Sequence, residues 1–450
     1  MKAYKLRRSC QNHRIYVFVF LLAVFFFFSG TESSLSGTDE SVFWEKIEKL
    51  CKSVENKVIS WRRDIHEHPE LGNREYRTAK LVADHLRQLG LDVKTEVAYT
   101  GVVGLLRGKQ AEPVVALRAD MDALPVKELT DLPFASKVTT IYNGKEVPVM
   151  HACGHDAHTA ILMGVAEVLA GVKDQIPGTV KFIFQPSEDS RPSGENGGAG
   201  LMIKEGVLEN PNPGAILGLH VGPMEHGSIG YRSGSMMAGV NSFRIVVRGS
   251  QTHGAVPWAG VDPVVASSQI ILGLQTIVSR QVDLTEAPAI VTVGSIHGGV
   301  QGNIIPDEVV LTGTIRSYGD ETRADILKRV RSTAETIAES AGAKAEVWIS
   351  DGLPSVVNDP GLTEMMAPVL ERVAGKDKVV VIPRITGGED FAYYQQHVPG
   401  LFFFLGINPV GADPAKAAPN HSPYFYIEES ALIVGVRALA HLAVFYLEGK

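Results

Sequence analysis

The sequence predicts an α/β fold: a mainly parallel sheet forms the larger domain, and a small ferredoxin-like domain is inserted into it. Three observations predict it. Short apolar runs bounded by Gly or Pro alternate with helical stretches in both the first and the last part of the chain, the pattern of a sheet covered on both faces. Near the middle this gives way to the order β-α-β-β-α-β, that of a ferredoxin-like module. The 450 residues, 45% hydrophobic and 21% charged, suffice for two such domains.

The elements follow in order. Residues 1–34 stand apart: Lys2, Lys5, Arg7, Arg8 and Arg14 precede an apolar run from Ile15 to Phe28, and Ser29, Gly30 and Thr31 follow it. That is the order of a secretory signal peptide. The run falls short of the roughly 20 residues a bilayer span needs, so a signal is expected, with an uncleaved anchor as the alternative. The body of the protein is then exported, to a periplasm, an endomembrane lumen or the exterior. Across residues 42–65, Val42, Phe43, Ile47, Leu50, Val54, Val58, Ile59 and Trp61 recur at mostly helical spacing, and Pro69 ends this opening helix. Strands are read at 102–106, 114–117 and 180–184, with a helix over 156–169. The inserted module reads as strand 243–247, helix 262–278, strands 289–296 and 308–316, helix 321–341 and strand 345–349. Strands at 379–382 and 401–405 and a helix from Glu428 close the chain. The expected division is a discontinuous α/β domain, 40–238 with 351–450, and an inserted domain, 239–350, for which the family resemblance given below implies metal-binding catalytic and lid and dimerisation roles in turn.

Composition narrows the function. With 43 Lys+Arg against 50 Asp+Glu, a net charge of −7 and no basic block beyond the extreme N-terminus, no nucleic-acid partner is expected. Nor is a membrane partner, beyond the signal segment. Three cysteines exclude a disulfide scaffold, and 45 Gly with 24 Pro fit a loop-rich enzyme.

The chemistry concentrates in residues 150–158, Met-His-Ala-Cys-Gly-His-Asp-Ala-His, where one thiol, one carboxylate and three imidazoles follow one another. These side chains ligate divalent transition metals. Read blandly, the stretch is a helix start capped by Asp156. Placed after a strand, at the sheet edge where open α/β folds bind ligands, it reads as a metal site. Glu188 and Asp189 leave the strand at 180–184 together. They are a solvated loop, or they supply the two carboxylates a hydrolytic metal site needs, one ligating and one taking a proton. His220 ends the apolar run 215–219, and His421 lies in the turn-rich Pro419-Asn-His-Ser-Pro423. Both fall where strand ends converge.

Taken together, Arg118-Ala-Asp-Met-Asp-Ala-Leu-Pro125, the His151 to His158 stretch, Gln185-Pro-Ser-Glu-Asp189, Leu219-His220, Gly387-Gly-Glu-Asp-Phe391 and Asn420-His-Ser-Pro423 resemble the di-metal amidohydrolase family of aminoacylase, hippurate hydrolase and the hydrolases of indole-acetyl amino acids. The resemblance covers residues 45–450. It implies hydrolysis of the amide bond of N-acyl amino acids, with a small-molecule N-acyl amino acid or short peptide as substrate and a homodimer formed through the lid. It also implies two divalent metal ions held by Cys153, His155, Asp189, His220 and His421. Zinc suits that donor set best, and manganese, cobalt and nickel remain open. Glu188 is implied as general base for a metal-activated water, and Asp120 as an orienting residue. In the lid, His253 is implied to reach a neighbouring subunit's site, and Asn303 and Arg316 to hold the substrate carboxylate, for which a guanidinium fork is suited. His66, His68, His85, His297 and His441 are left as surface or helix residues, and Cys51 as a buried thiol.

The chain departs from the family pattern twice. Arg118 stands where a His is common, a change shared by the Cys-Gly-His-Asp subfamily, and Asp189 stands where Glu is usual. Two other readings stay open: a metallo-dipeptidase, aminopeptidase or carboxypeptidase acting on short peptides, and a metal-binding homologue without activity.

Overall fold

The computed structural model describes residues 37–285 and 287–449, so the signal-like residues 1–34 lie outside the described residues. Helices α1 (Gly37–Glu67) and α2 (Tyr76–Gln88) precede the sheet. On α1 the residues Ile47, Cys51, Val54, Val58 and Ile65 are buried, a stripe spaced by one or two helical turns that turns one face to the core.

The main sheet has eight strands: β1 (Asp92–Val97), β2 (Gly101–Arg107), β3 (Val114–Asp120), β4 (Thr179–Gln185), β5 (Ala215–Gly222), β6 (Ile229–Tyr231), β7 (Val379–Val381) and β8 (Gly400–Gly406), in the order β1-β2-β4-β3-β5-β8-β6-β7. The central strands β4, β3, β5 and β8 are mutually parallel. The pairs β1–β2, β2–β4 and β8–β6 are antiparallel, so the expected parallel sheet holds at its centre and reverses toward its margins. All seven residues of β3, β4 and β8 are buried, which is why their sequences are continuous apolar runs rather than alternating ones. Val115, Leu117 and Ala119 of β3 pack with α1, α3 (His155–Ala170) and, after α4 (Pro360–Ala374), α5 (Leu432–Leu447). Ala116 faces the opposite layer, with Phe391, Tyr394 and Phe402.

The second sheet confirms the β-α-β-β-α-β reading. Its strands Gly239–Arg248, Ile290–Gly298, Glu308–Ser317 and Lys344–Ile349 lie in the spatial order second, third, first, fourth, all antiparallel. The helices Pro263–Arg280 and Asp320–Ser340 cover one face, around Phe243, Ile245, Ile270, Leu311 and Val330.

Three local expectations are corrected. The 150–158 stretch follows no strand of the main sheet; the preceding strands, Thr139–Tyr142 and Lys145–Pro148, form a separate hairpin. Asp156 does not cap α3: Gly154 occupies that position with φ +96°, and the Asp156 carboxylate accepts from Arg62 and His66 instead. His220 lies within β5, which continues to Gly222, rather than at its end. His66 and His441 are helix residues, as expected, and both are buried, each meeting a carboxylate inside the protein.

Candidate metal centre

Four segments bring the site together at the carboxyl ends of the parallel strands, one of them strand β5 itself with His220. Val149–Cys153 approaches in extended form, and α3 then begins with His155 in its first turn. Strand β4 ends at Gln185, and the chain turns at Ser187, whose φ of +56° is unusual for a residue with a side chain, to present Glu188 and Asp189. The loop after β8 supplies His421, also in the left-handed region at φ +70° and held by its N–H donating to the Ala152 carbonyl at 2.7 Å.

The five residues expected as ligands meet here. Cys153 Sγ lies 3.4 Å from His220 Nε2 and 3.2 Å from His421 Nε2. His421 Nε2 lies 3.4 Å from Asp189 Oδ1, and His155 Nε2 lies 3.7 Å from Asp189 Oδ2. Cys153 therefore belongs to two donor groups, one with His155 and His220 and one with Asp189 and His421, while His155 and Asp189 form a third with Glu188. Among the described residues, His155 Nε2 and Asp189 Oδ2 are buried without a hydrogen-bond partner. Buried polar atoms are normally satisfied. Two unpartnered donor atoms of opposite halves, facing each other across a thiol, two imidazoles and a carboxylate, fit bound divalent cations.

Charge agrees with that fit. Burial first, then Asp189, pushes the Cys153 thiol up to about 11, so a thiolate here needs a cation beside it. Burial drives His220 down to about 3 and leaves its Nε2 a lone-pair donor, with Nδ1 donating to the Val221 carbonyl at 2.7 Å. Hydrogen bonds to Asp189 and Cys153 raise His421 to about 10. Burial, reinforced by Glu389, Asp189 and Asp390, holds the Glu188 carboxyl well above its ordinary range.

The surrounding groups orient the donors. Against the cost of burial, the charges of His155, Arg118 and His158 hold Asp120 well below the usual carboxylate range. Asp120 accepts from His158 Nδ1 at 2.6 Å and from Arg118 at 2.7 Å. His158 Nε2 accepts the Val221 N–H, so both nitrogens of His158 are used and it has none left for a metal. His151 is buried with both nitrogens unpartnered and belongs to none of the donor groups. Arg118 is fully buried and joins Asp120, Gln185, Glu389 and Asp390. Sequence reading passed over Asp122, which lies inside the quoted 118–125 motif and accepts from both His155 and the Glu188 turn. Its signal was present, two carboxylates spaced two apart at a strand end, but one of them already had a role.

A cavity of about 830 Å³ opens on Glu188 and Asp189, lined also by Tyr142, Arg191, Lys204 and, from the second sheet's side, Val240 and Leu353. His253, Asn303 and Arg316 do not line it, and no hydrogen bond or ion pair among the described residues joins them to the metal cluster. His253 is exposed and accepts the Ala255 N–H, Asn303 is exposed beside Gly254, and Arg316 donates to the Ile315 carbonyl.

Comparison with known proteins agrees with this geometry. Residues 116–444 match the model of peptidase family M20/M25/M40. The chain is 40% identical over 403 residues to thermostable carboxypeptidase 1 of Saccharolobus solfataricus, covering 89% of this chain and 98% of that one. It is 37% identical to an N-acetyl-L-cysteine deacetylase of Bacillus subtilis, over 85% of this chain and 86% of that one. It is 38% identical to an IAA-amino acid hydrolase of Arabidopsis thaliana, over 88% of each. Among solved structures, a Bacillus subtilis dinuclear metal-binding peptidase of the M20 family superposes with a TM-score of 0.73 at 36% identity, covering 89% of this chain and all of that one.

Proposed function

The chain belongs to peptidase family M20/M25/M40 and is a metal-dependent hydrolase, and from that premise we propose that it releases free amino acids from N-acyl amino acids. The observation that carries the proposal is Glu188: a buried carboxyl with a raised pKa, beside unpartnered donor atoms of His155 and Asp189, at the mouth of a cavity large enough for an acylated amino acid. Cys153, His155, Asp189, His220 and His421 would hold two divalent ions, zinc by the softness of the thiolate and imidazoles, with manganese, cobalt or nickel also suited to the set. Such ions supply positive charge that polarises an amide carbonyl and acidifies a water. Glu188 takes the proton as the water oxygen bonds to the acyl carbon. It returns that proton to the amine nitrogen as the C–N bond breaks, leaving a carboxylic acid and a free amino acid. A carboxyl held above its ordinary range by burial and acidic neighbours suits both transfers. Asp120, through His158 and the Val221 N–H, keeps strand β5 in place beside His220.

Asn303 and Arg316 remain the proposed carboxylate holders, with His253 acting on a neighbouring copy. That all three lie away from the cavity of their own chain supports a homodimer built through the lid. Cleavage of short peptides is the second reading, favoured by the carboxypeptidase relative. We also propose export through the signal-like residues 1–34; a mature N-terminus that begins at Met1 in the native host would exclude cleavage.

The test is Glu188→Gln. It is expected to keep the fold and two metal equivalents while release of amino acid from N-acetyl, N-benzoyl and indole-acetyl amino acids falls by orders of magnitude. Wild-type-like turnover in this variant would sink the mechanism. Wild-type protein that cleaves unblocked dipeptides alone would move the assignment to the peptidase reading.

A further inference from the structure

We propose that the cavity beside Glu188 selects substrates with a second carboxylate, beyond the one every N-acyl amino acid carries, and that Arg191 and Lys204 bind it. The inference rests on the proposed hydrolysis of N-acyl amino acids and names the class it favours. Both cations line the cavity of about 830 Å³ that opens on Glu188 and Asp189. Arg191 lies three residues beyond Glu188, and Lys204 ends the short helix Gly198–Lys204. Both are exposed, and among the described residues neither side chain has a hydrogen bond or ion pair.

The wall that carries Arg191 is fixed in advance. Glu75 accepts the Ser187 N–H at 2.9 Å where the chain leaves β4. Tyr142 Oη then donates to the Arg191 carbonyl at 2.6 Å, and the Ser193 N–H donates to Asn143 Oδ1 at 2.9 Å, so the hairpin over 139–148 fastens the first half of the loop. Asn73 and Arg74 fasten the second half. Asn73 donates to the Asn196 carbonyl at 2.9 Å and to Glu195 at 3.0 Å, while Arg74 donates to both Glu195 oxygens, at 2.6 and 3.1 Å. Glu195 is the only acid from Ser190 to Gly198, and these bonds take it up. Arg191 therefore keeps its charge for a ligand, on a backbone that needs no reordering to bind one.

The acids of the cavity are engaged elsewhere. Glu188 and Asp189 belong to the metal centre, and Asp390 accepts from Arg118 at 3.0 Å, from Gln185 at 2.7 Å and from the Ala199 N–H at 2.7 Å. Asp351, beside the second sheet, has Arg323 donating to its carbonyl. A carboxylate entering the cavity thus meets two unpaired cations, one of them a guanidinium fork that matches its geometry. The α-carboxylate is assigned to Asn303 and Arg316, which leaves this pair for another. That second carboxylate has two sources: the side chain of an acidic amino acid, or the far end of a dicarboxylic acyl group.

The test measures kcat/KM of the zinc-loaded full chain on matched pairs, N-acetyl-aspartate against N-acetyl-asparagine and N-succinyl-alanine against N-butyryl-alanine. Wild type is expected to favour the dianionic member of at least one pair by on the order of tenfold, as one charge-assisted hydrogen bond supplies. Preference in the first pair places the second carboxylate on the amino acid; preference in the second places it on the acyl group. The difference is expected in KM rather than kcat, and to shrink as salt is raised, because the cations are exposed. Arg191→Ala and Lys204→Ala are each expected to bring the ratio toward one, with Arg191→Lys keeping more of it than Arg191→Ala. Wild-type ratios near one in both pairs overturn the inference and leave the proposed function standing. So do variants that lose both members of a pair in equal proportion, since the cations would then hold the carboxylate that all these substrates share. Cleavage of none of the four by wild-type protein holding its metals overturns the proposed function as well.

Discussion

At the scale of single residues, close approach governs the site. Gly72 has no side chain because the Ser190 carbonyl oxygen lies where its Cβ would be; an added Cβ would sit 1.7 Å from it. Gly72→Ala is therefore expected to push the 187–190 turn away from Asp122, at a cost of about 1–3 kcal/mol for forcing atoms into a packed interior. Thermal unfolding checks the stability loss, and kcat is expected to fall with it. A variant with unchanged melting temperature and kcat would show that the turn accommodates the methyl. Nothing in the sequence distinguishes Gly72 from the other glycines, and Glu75 likewise carries no signal, because both act through long-range contacts. Cys153, His155, Asp189, His220 and His421 were legible because chemically rare donors occurred in recognisable short motifs. His253, Asn303 and Arg316 came from the resemblance alone, and no hydrogen bond or ion pair among the described residues ties them to the other site residues.

At the scale of elements, what was legible depended on period. The lid's strands and helices switch cleanly between spacings of two and about three and a half, and the structure places them close to where the sequence did. The hairpin at Thr139–Tyr142 and Lys145–Pro148 has no comparable pattern, since it is short and largely exposed, and it was not foreseen. Helix α1 was foreseen, but not how it is fastened. Trp44 stacks on His441 with ring centroids 3.5 Å apart, Arg372 covers Trp44, and Glu48 accepts from His441 and Arg437. Burial keeps His441 below its ordinary 6.5. Although burial opposes it, hydrogen bonds from His441 and Arg437 hold Glu48 below 4.5. Both folded values are depressed, so in each case the unfolded chain takes up protons more readily and stability falls with acid. The loss begins as pH drops below about 6.5 for His441 and below about 4.5 for Glu48. His441→Phe, which keeps an aromatic ring against Trp44, is expected to flatten the dependence of melting temperature on pH between 7 and 5. An unchanged slope would assign the acid sensitivity elsewhere.

At the scale of the whole molecule, the catalytic unit is assembled from two stretches of chain on either side of the lid. Residues before the lid supply β1 to β6 and four of the proposed ligands, and residues after it supply β7, β8, α4, α5 and His421. The lid leaves Trp258, Leu272 and Val300 exposed, apolar side chains of the kind a second copy covers. Light scattering of the purified protein is expected to give twice the mass of one chain, and a monomer would remove His253 from the mechanism. The order of strands has a further consequence for biosynthesis. Strand β8 sits in the middle of the main sheet, between β5 and β6, yet it is among the last segments made. A nascent chain still attached to the ribosome before residue 400 carries an open slot at the centre of its sheet and lacks the residue that closes its metal centre. Folding that depends on such distant partners is slow. The main sheet and the proposed ligand set are therefore complete only once nearly the whole chain has been made.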